Sequence, residues 1–252
     1  MAREPAMTVQ PGNTNNGEIS RADLLPFLMS FTELRRRSFL WPGVTLAVFS
    51  AALLIFAAAG SEKGFFWCLS ALISLGNLFL IYLWCGKKMP FPYILAVAVA
   101  AFALDAALSP LIIAGERFMP DVVAPGIIEE SVKVLPVVIV LAAGWLLPHP
   151  LQREYGLREP LDGIILAAAS ATGFAFLETM FVYVPKYGEL ISAPRLLVNI
   201  FGHIAYASAW GYFIGLAALR HRRAIPAAIA VGIGFLLANL LHDLWDAMRY
   251  YG

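Results

Sequence analysis

Charge is scarce in this sequence: 14% of its 252 residues are Asp, Glu, Lys or Arg, while 60% are hydrophobic and the mean hydropathy is +0.73. Soluble globular domains carry roughly 25% charged and about 45–50% apolar residues, so a water-soluble fold is excluded. Net charge is scarcer still, at +1 from 18 basic and 17 acidic residues, which leaves no basic field for nucleic acid. There are two cysteines, Cys68 and Cys85, both on one apolar run, where a helix would hold them roughly 25 Å apart, beyond disulfide reach. The first nineteen residues have no apolar run able to act as a signal-peptide core, so insertion is expected to begin with the first span. A Gly-x-Ser-x-Gly elbow and a glycine-rich phosphate loop are also missing, which removes the usual signals for a serine nucleophile or a nucleotide site.

What the sequence does have is long apolar runs. Seven are long enough to span a bilayer, at about 20 residues each: 39–60, 64–85, 91–114, 122–147, 161–184, 196–219 and 224–247. The fold class is therefore all-α, a polytopic transmembrane helical bundle of about seven spans. Residues 1–38 read as a cytoplasmic tail, within which Leu24, Phe27, Leu28, Phe31 and Leu34 recur at helical spacing and suggest an interfacial helix. Residues 39–115 form N-terminal transmembrane helices, and 116–252 a core that carries nearly all the buried charge. Arg35, Arg36, Arg37, Lys87, Lys88, Arg153, Arg158, Arg220, Arg222 and Arg223 fall on one side of this topology, against Lys63, Arg117, Lys186, Arg195 and Arg249 on the other. The positive-inside rule then puts the N-terminus in the cytoplasm and the C-terminus outside.

An ionisable group at the bilayer centre costs about 2.5–3.5 kcal/mol on insertion scales, so such residues are functional candidates by default. The first two spans have none in their interiors, and the third has Asp105, followed by Pro110. Span four carries Glu129, Glu130 and Lys133, span five Glu178, span six His203, and span seven His242 and Asp246. Glu129, Glu178, His203 and His242 each fall about five to seven residues, roughly 10 Å, from the outer ends of their spans. Four helices thus deliver carboxylates and imidazoles to one layer. All five of Glu129, Glu130, Glu178, His203 and His242 are expected to line one water-accessible cavity on the extracytoplasmic side. Simpler readings exist for single members: Glu129 and Lys133 at i, i+4 suit an ion pair, and Asp246 suits pairing with Arg249 at i+3. Gly211 and Gly215, small-xxx-small, mark close helix packing. Glutamate with histidine activates water, as ligands of a divalent metal with an open position or as a base beside an orienting imidazole.

These residues resemble a known family. Ala-Pro-Gly-Ile-Ile-Glu-Glu-Ser-Val-Lys at 124–133 resembles the Glu-Glu-x-x-Lys motif of the PrsW intramembrane proteases. Asp162-Gly163 with Gly173-Phe174-Ala175-Phe176-Leu177-Glu178 resembles the second motif of that family, Gly202-His203 with Ser208, Trp210, Gly211 and Gly215 the third, and His242-Asp243-Leu244-Trp245-Asp246 the fourth. The likeness covers about residues 120–250. One departure lies after Glu178: the family usually has asparagine next and tyrosine four residues on, where this chain has Thr179 and Val182, with Tyr183 one place late.

The resemblance implies a multi-pass peptidase of the bacterial cytoplasmic membrane, distantly related to the CAAX prenyl endopeptidases, with relatives linked to cleavage of membrane-anchored anti-sigma factors. Its expected partners are membrane lipid and an anti-sigma-factor-like or other single-pass protein as substrate. In this reading the catalytic set is Glu129, Glu130, Glu178, His203 and His242: Glu129 or Glu130 is the general base, while Glu178, His203 and His242 hold water or a divalent metal such as zinc. A reading from another class is a transporter or scaffold whose Glu/His cluster binds an ion, a proton or a lipid head group. A transporter requires access from both sides, and the sequence shows no internal inverted repeat.

Overall fold

The computed structural model describes residues 39–84, 89–116, 124–146, 155–219 and 224–251. The tail with its expected interfacial helix, Cys85, and the loop histidines His149 and His221 lie outside the described residues. Every regular element described is helical. In chain order they are α1 (Leu40–Ala58), α2 (Glu62–Trp84), α3 (Phe91–Glu116), α4 (Ala124–Leu146), α5 (Pro160–Leu177), α6 (Ser192–Leu219) and α7 (Ala224–Tyr251). Each coincides with one of the seven expected runs. Six of them are long and apolar enough to cross a membrane. The seventh, α4, has 23 residues but carries Glu129, Glu130 and Lys133, and its charge is turned into protein rather than lipid.

α1 shows lipid-facing chemistry: Pro42 is its one buried residue, and Leu40, Val48, Leu54 and Ile55 are exposed. It ends on Gly60 at φ 67°, with Gly60 N–H donating to Ala57 O and Ser61 N–H to Phe56 O, the paired bonds of a Schellman stop. Ser61 then accepts from the Gly64 N–H at 3.3 Å and starts α2.

α5 is the opposite case. Of its residues only Ile164 and Phe176 escape full burial, as expected of a helix apolar on all sides at the centre of a bundle. Small residues let its neighbours come close. A Cβ on Gly163 would run into the Gly211 carbonyl oxygen, one on Gly215 into the backbone of Glu159 and Pro160, and one on Gly173 into the Ala98 carbonyl oxygen. The small-xxx-small pair of α6 is therefore a packing device against α5, as its spacing predicts. Asn77 of α2 donates to Thr172 at 2.9 Å, and Ser170 donates to the Lys133 carbonyl at 2.6 Å, tying α2 and α4 to α5. Past Leu177 the chain runs as a π-helical turn, Glu178–Tyr183, before resuming α geometry over Val184–Tyr187. Gly188, at φ 90°, makes the turn towards α6.

Candidate active site in the last four helices

Four helices bring their polar residues to one point. Glu130 lies at its back, fully buried, and both its oxygens are engaged: Oε1 accepts from Lys133 Nζ at 2.7 Å and from His242 Nδ1 at 3.1 Å, and Oε2 from Trp210 Nε1 at 2.8 Å. Lys133, also fully buried, lies 3.4 Å from Glu129 Oε2, 2.7 Å from His203 Nδ1 and 4.3 Å from the centre of the Phe174 ring. The i, i+4 pair expected between Glu129 and Lys133 thus exists, but the lysine lies closer to the neighbouring glutamate.

These contacts fix the tautomers. An ammonium cannot accept, so His203 Nδ1 is the acceptor and Nε2–H donates to Glu178 Oε2 at 3.0 Å. Asn199 donates to the same Glu178 oxygen at 2.5 Å, and Arg195 approaches Oε1 at 4.0 Å while lying over the Tyr183 ring. His242 gives its Nδ1–H to Glu130, which in the neutral ring leaves Nε2 as a lone pair. That lone pair faces Glu129 Oε2 at 3.7 Å and Asp246 Oδ2 at 3.6 Å. Three acceptors thus converge at distances too long for hydrogen bonds, an arrangement that suits a donor or a cation between them.

The front of the cluster is a cavity of about 550 Å³, within the usual range of ligand pockets. Glu129, Glu178, His203 and His242 line it, together with Asp246, Asn199 and Tyr206. Glu130, expected on the same wall, is behind it. Adjacent helix positions point about 100° apart, and here that angle separates a saturated carboxylate from one that opens to the cavity with 12% of its side chain exposed. Phe181, Val182 and Val198 also line the cavity and are exposed on the outer surface, so its rim is apolar.

Glu129, His203 and His242 each offer a ligand atom within 4.8 Å of the others. The ligand set expected from sequence had Glu178 in place of Glu129; in the structure Glu178 stands on the far side of His203. By donor type, one carboxylate and two imidazoles suit a zinc-type ion, and the Glu130–His242 bond is the kind of outer contact that presets a histidine ligand, whereas His203 would ligate only on giving up its contact with Lys133 or with Glu178. Asn199 and Tyr206, which the sequence does not single out, and Asp105, which it shows only as the lone acid of the third span, all line the cavity, as does Asp246, whose expected partner Arg249 has its side chain outside the described residues. Trp210 was legible through its motif, although its bond to Glu130 was not.

The π turn also accounts for the late tyrosine. In π geometry residue i+5 takes the place above residue i that i+4 takes in an α-helix. Tyr183 therefore stands over Glu178 despite the extra residue, and both line the cavity. Asn199 of α6, which donates to Glu178, also reaches Thr179 Oγ1 at 3.4 Å.

Comparison with known proteins agrees with the geometry. The family described as PrsW family intramembrane metalloprotease matches residues 67–251, so the match begins in α2, well before the four motifs. Protease PrsW of Clostridioides difficile (strain 630) is 29% identical over 130 residues, covering 49% of each chain, so this chain aligns with about half the length of that curated relative. No solved structure matches this chain significantly. With a match across most of its length and the four motifs gathered at one cavity, this chain belongs to the PrsW family of intramembrane metalloproteases.

Proposed function

We propose that the protein is an intramembrane peptidase that hydrolyses a peptide bond in or next to the anchor of a single-pass membrane protein, using water activated by Glu129. The observation that carries this reading is the meeting of Glu129 Oε2, Asp246 Oδ2 and the bare Nε2 of His242 at the cavity wall. A water placed there can donate to any of the three, and Glu129, whose other oxygen has no partner among the described residues, is the carboxylate best placed to take its proton. His242 orients that water, and Glu130 holds His242 in the required tautomer. Lys133 keeps Glu130 and His203 in place, and Glu178 on the other side of His203 faces the space where the peptide would lie.

Glu129 through one oxygen, His242, and His203 on release of its Lys133 or Glu178 contact are the residues that would hold a divalent cation, which leaves the other oxygen of Glu129 to take the proton. When bound, such an ion polarises the scissile carbonyl and makes water a better nucleophile at neutral pH. The exposed apolar rim of Phe181, Val182 and Val198 suits entry of the substrate from the lipid side. The basic residues bordering the helices favour a cytoplasmic N-terminus and an extracytoplasmic C-terminus in a bacterial membrane.

Purified protein incubated in vesicles with a library of membrane-anchored peptides, with products read by mass, tests the reading. Cleavage that needs Glu129 and persists after collapse of every transmembrane gradient is the expected result. Gradient-dependent movement of an ion with no cleavage would make the protein a transporter.

A further inference from the structure

Asp105 belongs to none of the four motifs, yet it faces the same cavity. It sits on α3, about 14 residues or roughly 21 Å from one end and about 11 residues or roughly 16 Å from the other. Asp105, Ser109 and Ile112, at i, i+4 and i+7, form one helical face, and all three line the cavity opposite the motif helices. Asp105 is 3% exposed and has no hydrogen-bond or ion-pair partner among the described residues. A buried acid inside a span is normally paired, because an unpaired carboxylate there is costly. The nearby cations are committed elsewhere: Lys133 to the two glutamates and His203, and Arg195 to Glu178 and the face of Tyr183. Among the described residues, the cavity wall thus presents Asp105, Glu129, Glu178 and Asp246 against Arg195 as its one lining Lys or Arg.

We propose that Asp105 is a specificity residue that receives a lysine or arginine side chain of the substrate bound in the cavity. This inference rests on the peptidase reading for its reaction but on the α3 face for its geometry. A basic side chain supplies the partner that Asp105 lacks, through a charge-assisted hydrogen bond in a low-dielectric wall.

The test uses single-pass peptides in vesicles, identical except for one position near the scissile bond, which is moved stepwise and occupied by lysine or by neutral norleucine. Wild type should favour lysine over norleucine at one position by roughly 10- to 100-fold in kcat/KM, the range for a hydrogen bond to a charged group. In Asp105→Asn that ratio should fall towards one, and Asp105→Glu should recover part of it. A wild-type ratio near one at every position overturns the proposal without any variant, and so does a ratio unchanged in Asp105→Asn. If wild type cleaves no peptide, the peptidase reading fails, and Asp105 is judged by equilibrium binding of the same peptides. A lysine preference in Kd that Asp105→Asn abolishes then upholds the subsite, and equal Kd values for the two peptides overturn it.

Discussion

His242 Nδ1 lies 3.1 Å from Glu130 Oε1, a contact between α7 and α4 across 112 positions of sequence, and it assigns different tasks to two adjacent glutamates. Glu130 is fully buried and satisfied by Lys133, His242 and Trp210, whereas Glu129 opens to the cavity. Glu129→Gln should therefore lower cleavage by about 10²- to 10⁴-fold, the usual contribution of a general base, with little change in thermal unfolding in detergent. Glu130→Gln should also cost activity, by loosening His242, but it should lower stability by about 3 kcal/mol because Lys133 loses its closest counter-charge. Unfolding curves that rank the two variants the other way round would refute this division.

Lys133 supplies a second measurement. Lys133→Met should be strongly destabilising, since it leaves Glu129 and Glu130 side by side without their cation, and it removes the donor to His203 Nδ1. The double variant Lys133→Met/Glu130→Gln should recover much of that loss, giving a coupling energy in the range of about 0.5–3 kcal/mol by a double-mutant cycle. Additive losses would mean that the 2.7 Å pair contributes nothing specific to the fold.

Backbone packing gives a third. Gly163→Ala places a methyl group against the Gly211 carbonyl oxygen, backbone that cannot swing aside, and should cost at least about 1–3 kcal/mol. Gly232→Ala, with open space around its Cβ, serves as the control and should change stability by no more than about 1 kcal/mol, with a helix-propensity gain if anything. Equal unfolding temperatures for the two would argue against the close α5–α6 crossing.

These contrasts also show what could be read from the sequence and what could not. Helix number and position follow from the lengths of the apolar runs, which agree with α1 to α7. The convergence of Glu129, Glu178, His203 and His242 follows from their similar depth, because antiparallel spans of equal length leave few other ways to arrange them. Azimuth was hidden. In α4 apolar residues surround the charges on every side, so nothing in the pattern shows that Glu130 faces the packed interior and Glu129 the cavity. Asp105 was read as an isolated acid because its neighbours come from other helices, and Asn199 drew no notice because uncharged amides are tolerated in spans. The π turn left a trace, the tyrosine one place late, but an extra residue in a helix reads equally well as a substitution.

A fourth prediction concerns metal. Wild-type protein purified without chelator should carry a divalent ion, and His242→Ala and His203→Ala should each lower bound metal together with rate, since a site of this donor type needs three or more ligands. Glu178→Gln should lower the rate while leaving bound metal nearer to wild type, because Glu178 meets His203 from outside the group of three. Full-rate cleavage by a preparation free of divalent ions would remove the metal and leave Glu129 as base with His242 as its orienting imidazole.

The last prediction tests the π turn directly. A π-helical turn is one residue wider than the α turn it replaces, so removing one residue within it can restore regular α-helix without rotating the residues beyond it. Deleting Val182, exposed on the outer surface, would bring Tyr183 to four places after Glu178, the spacing usual in the family, and leave Val184–Tyr187 and α6 where they are. The deletion should leave a folded protein, with a measurable thermal transition in detergent and Tyr183 still beside Glu178. Deleting Ala168 from the regular, wholly buried part of α5 should instead abolish folding, since it turns every later residue of the helix by about 100° and moves Ser170, Thr172 and Glu178 off their partners. If the Val182 deletion proves as damaging as the Ala168 deletion, the widened turn is not what sets the register between Glu178 and Tyr183.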